Sequence, residues 1–327
     1  TGAAGFIGSN IVRGLNRLGE RDILAVDDLT DGYKFENLVG SDIADYWDKD
    51  LLLDRLKGGL GFKPRCVFHQ GACSVTTEWN GRYMMETNYR YSKELLEFCL
   101  DIGVPLIYAS SAAVYGSNSS FQEDSAVERP LNVYGYSKLL FDQYVQRRLD
   151  KGSTQIVGLR YFNVYGPGEE HKGEMASVAF HLNDQILRDG EARLFEGSDG
   201  YAEGEQLRDF IHVDDVVNVN LWFLAHNTRG EKSGIFNVGT GHAATFNELA
   251  DAVIEWHGTG TKRYIPFPEH IENAYQSFTQ ADITKLRSVG YDSSFLGIRV
   301  GVKSYLDTLH KKVEGNIPLP SGCLRPL

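Results

Sequence analysis

Cysteine, methionine and proline are scarce in this sequence of 327 residues, which has four, three and nine of them. Cys66, Cys73, Cys99 and Cys323 show neither paired nor metal-type spacing, which excludes a disulfide scaffold and a thiolate metal centre and predicts reduced thiols in a cytoplasmic compartment. Basic residues are short as well: 33 stand against 44 acidic ones, giving a formal charge of -11. A nucleic acid or an anionic membrane needs a basic footprint, so neither is expected as a partner, and any phosphate must be held locally. No apolar run is long enough to cross a bilayer, and no signal peptide is evident. Repeats and low-complexity blocks are missing, which removes solenoids. The sequence also lacks an initiator methionine and a strand before its first glycines, so a short apolar segment upstream of Thr1 is expected. From about Glu314, Gly315, Asn316, Pro318 and Pro320 carry no helical or strand period, and residues 313–327 read as a tail.

What is present is a composition for a large core: 42% hydrophobic and 12% aromatic residues. Short apolar runs alternate with helical patterns. Ile23–Val26, Cys66–His69, Leu106–Ala109 and Ile156–Arg160 read as strands, and Gly8–Leu18, Met84–Leu100, Tyr134–Leu149, Met175–Asp189 and Phe246–Trp256 as helices. Such alternation predicts an α/β fold with a Rossmann-like doubly wound parallel sheet. Residues 116–125 and 196–205 read as surface connections.

Gly2-x-x-Gly5-x-x-Gly8 stands where a helix opens. Glycines let backbone N–H groups approach a pyrophosphate, and the helix N-terminus favours its charge. With 35 glycines in the chain the spacing alone is weak, so context must lift it. The strand Ile23–Val26 ends in Asp27, placed to receive ribose hydroxyls, the alternative being an ordinary turn residue. Asp27 repels a 2′-phosphate and favours NAD, whereas Lys34 and Lys49 would compensate unless they are solvated surface charges. On these residues NAD and NADP both stay open.

Two Tyr-x-x-x-Lys pairs occur, Tyr89/Lys93 and Tyr134/Lys138. On a helix this spacing stacks phenol and ammonium one turn apart, where the cation lowers the phenol toward general acid/base use. Chain order separates the two. Leu106 to Ser111 is a strand ending in hydroxyls at the carboxyl edge of the sheet, where ligands bind in doubly wound folds. Tyr134/Lys138 follows that edge, and Tyr89/Lys93 precedes it. Ser111, Tyr134 and Lys138 are therefore the catalytic candidates, and the earlier pair reads as helix surface and packing.

Together with Ala112-Ala113-Val114-Tyr115-Gly116 and Arg160-Tyr161-Phe162-Asn163-Val164-Tyr165-Gly166-Pro167, these motifs in this order resemble the extended short-chain dehydrogenase/reductases, in particular the nucleotide-sugar epimerases. Up to about His310, the segments Gln70 to Ser74, Thr76 to Trp79, His171 to Gly173, Ser177 to His181 and Phe195 to Ser198 are similar to the branch acting on an ADP-heptose rather than to the UDP-galactose type. The resemblance implies a dinucleotide domain of residues 1–163 and 207–241, and a smaller mixed substrate domain of 164–206 and 242–312. It implies an ADP-sugar substrate, bound NADP with NAD as the alternative, and a homo-oligomer. Hydride would leave C6 of the sugar, and the transient ketone would re-orient and take the hydride back.

Carried over by position, the resemblance places Gly2, Gly5, Phe6, Ile7, Gly8, Asp27, Asp28, Lys34, Lys49, Gln70, Gly71, Ala72, Cys73, Ser74, Asn88, Lys138, Val164 and Lys172 around NADP. Asp28 stands where Asn is expected, and its charge opposes NADP. Asn163, His181, Phe195, Glu196, Gly197, Ser198, Arg208 and Tyr275 would meet the substrate, with Arg208 clamping the diphosphate, and Glu174 takes a position where Ser is expected. By themselves Asn163 and Tyr275 read as turn and core residues. Lys172, in the loop Glu169-Glu170-His171-Lys172-Gly173-Glu174, reads by itself as a solvated charge; the resemblance makes it a second acid/base opposite Tyr134. A dehydratase would need an acidic pair beside Ser111, which Ala112-Ala113 do not supply. A UDP-hexose 4-epimerase shares the catalytic residues, and a non-catalytic cofactor-binding protein would have no use for them.

Overall fold

The computed structural model describes residues 1–149, 154–227, 230–267 and 276–314. Helix α1 (Phe6–Arg17) starts directly behind the glycine loop. Gly2 has φ +71°, and a Cβ there would stand 2.5 Å from the Gly71 amide nitrogen; one on Gly8 would stand 1.9 Å from the Gly2 carbonyl oxygen. Only glycine permits this crossing of backbones.

Strand β1 (Leu24–Asp27) pairs in parallel with β2 (Asp45–Asp48), which runs into α2 (Lys49–Gly58). After β3 (Val67–His69) comes α3 (Gly81–Met84), a π-helical turn (Met85–Arg90) and α4 (Tyr91–Asp101). The apolar pattern predicts one even helix over Met84–Leu100; the wide π turn interrupts it. Next are β4 (Leu106–Ser111), α5 (Val133–Leu149) and β5 (Ile156–Tyr161). The chain continues through β6 (Asn163–Tyr165), α6 (Val178–Asp189), β7 (Glu191–Phe195), β8 (Leu207–Arg208), β9 (Phe210–His212), α7 (Val213–Ala225) and β10 (Gly234–Val238). It then forms β11 (Ala244–Thr245), α8 (Phe246–His257), β12 (Thr261–Ile265), α9 (Thr284–Ser288) and α10 (Ile298–Glu314). Residues 315–327, most of the expected tail, lie outside the described residues.

Strands β10-β5-β4-β3 form one parallel sheet and β1-β2 another. Thr1 to Ala3 fill the slot between them: Thr1 N donates to Phe68 O at 2.7 Å, Gln70 N to Thr1 O at 3.0 Å, and Ala3 N to Val26 O at 3.2 Å. Side chains alternate across the sheet, as a period of two requires. Ile107, Val157 and Leu159 enter a core with Val216, Val219 and Phe223 of α7, whereas Leu106, Tyr108 and Ile156 enter one with Leu95 and Leu96 of α4 and Phe141 and Val145 of α5. Helices therefore cover both faces, as a doubly wound sheet demands.

A separate core joins Leu182 and Ile186 of α6, Leu194 of β7, Leu249 and Val253 of α8, and Tyr305 and Leu306 of α10. Not all of 242–312 packs in that core. Leu286 and Tyr291 pack with Phe236 and Val238 in the sheet core, and Ala281 packs with Val114 and Tyr115. Part of 242–312 thus packs on the parallel sheet, where it covers the outer strand β10.

Candidate active site

A cavity of about 1110 Å³ lies between the carboxyl edge of the parallel sheet and the second core. Gly2, Gly5, Phe6, Ile7, Gly8, Asp27, Lys34, Gln70, Gly71, Ala72, Cys73, Ser74, Ser111, Tyr134, Lys138, Asn163, Val164, Lys172, His181, Phe195 and Arg208 all line it. These residues are up to about two hundred positions apart, and the strand ends bring them together.

Ser111 closes β4, and its Oγ accepts from Ala113 N at 3.1 Å, turning the chain away from the sheet. Helix α5 approaches this edge closely because Gly135 has no side chain: a Cβ there would stand 2.7 Å from Ala113 O. Burial raises the Tyr134 phenol above its ordinary value, and the Ser111 hydroxyl opposes the rise. Lys138 is 5% exposed, and its Nζ donates to Ala109 O at 2.9 Å. Burial lowers its ammonium to about 8. Lowering of the phenol by the lysine, expected from their spacing, is not what dominates here: desolvation wins, and the ammonium is turned to a backbone carbonyl.

One turn beyond Lys138, Asp142 holds the edge together. Its carboxylate accepts from Tyr108 Oη at 2.9 Å, Ser110 Oγ at 2.8 Å and Arg160 Nε at 2.9 Å, tying α5 to β4 and β5. Arg160 is fully buried and also donates to Glu128 at 2.6 Å. Removing one partner of such a buried pair costs about 3–5 kcal/mol, since a charge is left uncompensated.

At the ribose end, Asp27 accepts from Ala4 N and Asp28 N, both at 2.7 Å, and from Lys34 Nζ. Lys34 also donates to Asp28 O at 2.8 Å. Lys49 pairs with Asp28 and does not line the cavity; this pairing, helped by a bond from Thr30, holds the Asp28 carboxyl well below the usual range. The two lysines and two aspartates thus form two ion pairs. Asn88 is also off the cavity: it is buried, accepts from Cys73 N at 2.8 Å and donates to Cys73 O at 2.9 Å, holding the 70–74 loop from behind.

Lys172 sits on the 3₁₀ turn Glu170–Met175, its Nζ 5.4 Å from the centre of the Phe6 ring. It is not the solvated charge that its acidic loop suggests: burial lowers its ammonium, with Glu169 opposing. On the sugar side, Asn163 Nδ2 donates to Thr279 Oγ1 at 3.1 Å, and Arg208 stacks over Phe246 at 5.7 Å. Glu174 is exposed and off the cavity. Glu196, Gly197 and Ser198 are also off it, in a turn where Gln206 Nε2 donates to Glu196 O at 2.8 Å and to Ser198 Oγ at 3.2 Å. Tyr275 lies outside the described residues.

His171, Arg193, Gln206 and Phe246 line the cavity without having been expected there. No motif marks them; only His171, next to Lys172, had a positional signal. Tyr89 packs edge-on to Tyr144 at 6.3 Å and Lys93 lies 4.9 Å over that ring, both away from the cavity.

The cavity fits a dinucleotide. A Cβ would fill its glycine cradle, and the side-chain nitrogen of Gln70 is buried on its wall without an acceptor, although Gln70 Oε1 accepts from Tyr161 Oη at 3.0 Å. Among the described residues no three His, Cys, Asp or Glu side chains are grouped as a metal site, and no helix is long and apolar enough to cross a membrane.

The sequence profile of the NAD dependent epimerase/dehydratase family matches residues 1–239. An ADP-L-glycero-D-manno-heptose-6-epimerase of Alkalilimnicola ehrlichii is 58% identical over 310 residues, 94% of this chain and 96% of that protein. Among solved structures, the ADP-L-glycero-D-manno-heptose-6-epimerase of Helicobacter pylori superimposes with a TM-score of 0.80 at 33% identity, covering 94% of each chain. The UDP-glucose 4-epimerase of Thermus thermophilus, solved as a complex with NAD, gives 0.76 at 28% identity over 94% of this chain and 97% of that one.

Proposed function

The chain belongs to the NAD dependent epimerase/dehydratase family, and from that premise we propose that it is an isomerase interconverting ADP-D-glycero-D-manno-heptose and ADP-L-glycero-D-manno-heptose. The inversion is at C6, the cofactor is NADP, and the product feeds lipopolysaccharide core synthesis in the cytoplasm, with the enzyme a homo-oligomer. The observation that carries this reading is one cavity lined both by Ser111, Tyr134 and Lys138 at the sheet edge and by Lys172 on a separate turn. When the transient ketone turns over between the two hydride transfers, its oxygen meets the protein on two sides, and two ionisable groups on different elements meet that need. The relative at 58% identity supports an ADP-heptose as the substrate.

The dinucleotide supplies, when bound, a hydride acceptor that becomes the donor within the same turnover. Backbone amides at Phe6 and Ile7 and the α1 N-terminus hold its pyrophosphate. Asp27 and Lys34 meet the adenosine ribose. Tyr134 accepts the proton of the C6 hydroxyl as that carbon becomes a carbonyl, with Ser111 steadying the phenolate and the Lys138 charge favouring it. Lys172 gives a proton to the oxygen once the ketone has presented its other face, and exchange with water then takes the proton from Tyr134 and returns one to Lys172 before the next turnover. Arg208 binds the substrate diphosphate, with Asn163, His181 and Phe195 around the sugar. Preference for NADP rests on Lys34 and Lys49 exchanging an aspartate for the 2′-phosphate.

Mass spectrometry of the nucleotide released on denaturation, followed by parallel assays on ADP-heptose and UDP-galactose, tests the reading. NADP and turnover of ADP-heptose are expected. Turnover of UDP-galactose alone would replace it with a 4-epimerase.

A further inference from the structure

Two sets of contacts anchor the turn that carries Lys172, one on each side of the cavity. Toward the second core, Glu169 is fully buried; its carboxylate accepts from Ser177 N at 2.6 Å and Ser177 Oγ at 2.7 Å, the latter residue capping α6, and from Gly166 N at 3.2 Å. Toward the dinucleotide, the anchor is Asn37, the last residue of the 3₁₀ turn Gly32–Asn37 and only 5% exposed. Its Nδ2 donates to Ala4 O at 3.0 Å, inside the glycine loop, and to Gly168 O at 3.0 Å, and lies 3.1 Å from His171 Nδ1. An amide nitrogen carries only two hydrogens for these three acceptors, so His171 Nδ1 accepts by sharing one of them with a carbonyl. Asn10 Nδ2 donates to Pro167 O at 2.7 Å beside it, and Arg13 holds Asn37 by a bond to its carbonyl at 2.9 Å. Gly168, with φ +96°, lets the loop lie this close: a Cβ would stand 3.1 Å from the Arg13 guanidinium and 3.3 Å from Asn37 Oδ1.

One side chain thus touches the glycine loop, the strand-to-turn connection and the residue next to Lys172. We propose that Asn37 is a positioning residue: it sets the Lys172 turn in register with the glycine loop, so that the lysine is placed by the same element that places the dinucleotide. This rests on the reading of Lys172 as an acid/base. A buried bridge with one short, stiff side chain suits the task, because a group displaced by about 1 Å can lose about a hundredfold in rate.

The test is a double-mutant cycle in the full chain with its cofactor, using Asn37→Ala, Lys172→Met and the double variant. Turnover and KM for ADP-heptose, nucleotide content, and hydrogen exchange of peptides covering residues 169–177 are measured in each. Asn37→Ala is expected to lower kcat by about tenfold to a hundredfold with KM and nucleotide content little changed, and to speed exchange in 169–177. In the Lys172→Met background the same change should cost less than about twofold, because there is no longer a lysine to misplace. Losses that multiply in the double variant would overturn the proposal. If Lys172→Met turns over normally, the acid/base reading of Lys172 has failed, and exchange then decides alone: faster exchange in Asn37→Ala keeps Asn37 as the anchor of the turn, and unchanged exchange removes it. Should Asn37→Ala not fold, His171→Ala takes out the acceptor on the turn while leaving the bonds to Ala4 and Gly168; it should give a smaller loss of the same kind, and a silent His171→Ala with unchanged exchange would overturn the proposal.

Discussion

The same five-residue pattern occurs twice in this chain with opposite fates. Tyr134/Lys138 lies in the first turns of α5, against the carboxyl edge of β4, and both side chains line the cavity. Tyr89/Lys93 straddles the π turn and α4, and both side chains pack on Tyr144, the back of the same helix α5. Local spacing alone therefore does not make an acid/base pair. What differs is the element in front of the phenol: a strand end carrying a hydroxyl in one case, an aromatic ring in the other.

The comparison breaks most directly through the tyrosines. Tyr134→Phe should lower turnover by at least about a hundredfold with nucleotide still bound, as for loss of a general acid/base, while Tyr89→Phe should be nearly silent. Crippling by the Tyr89 change would reverse the assignment of the two pairs. A cation over an exposed ring is worth about 0.5–1 kcal/mol, so Lys93→Ala should show only in a small loss of thermal stability.

Lys172→Met sharpens the contrast from the other side of the cavity. It keeps roughly the length and removes the charge, so kcat should fall strongly and substrate affinity much less. A loss of affinity with kcat intact would make Lys172 a phosphate anchor.

The environment of Lys138 predicts a pH limb. With its ammonium lowered to about 8, it is charged below that pH and loses its proton above it, so kcat/KM, which reports groups of the free enzyme, should fall as pH rises through about 8. Lys138→Arg keeps the charge at all these pH values and should move the limb upward even if it lowers the maximum, because guanidinium geometry differs. An unmoved limb would place that titration on another group.

Another expected effect concerns cofactor choice. Alanine at both Lys34 and Lys49 should erase a preference for NADP over NAD, read as the ratio of dissociation constants. Equal affinities in the unaltered chain would mean that Asp27 and Asp28 outweigh the lysines that they already hold.

Much of the site is legible in the chain because its parts are defined by local chemistry. Gly2 and Gly8 are needed where backbones cross, Asp27 ends a strand, and Ser111 ends another. The expected residues that do not line the cavity share a cause. Lys49 and Asn88 are near the cavity, but other partners use their polar groups, and Glu196, Gly197 and Ser198 close a turn around Gln206. Hydrogen-bond partners far away in sequence leave no trace in local spacing. Asn37 shows the same thing in reverse: an unremarkable residue in a surface-like stretch, it bridges segments 33 and 134 positions away.

By itself, then, the sequence determined the alternating elements, the glycine cradle and the order of the motifs, since periodicity and backbone freedom act over a few residues. Only the tertiary structure decided that Tyr89 and Lys93 pack on Tyr144, that burial lowers the ammonium groups of Lys138 and Lys172, and that residues 281–291 pack back onto the parallel sheet. Desolvation and long-range pairing depend on what surrounds a group in space, and that surrounding is assembled from the whole chain.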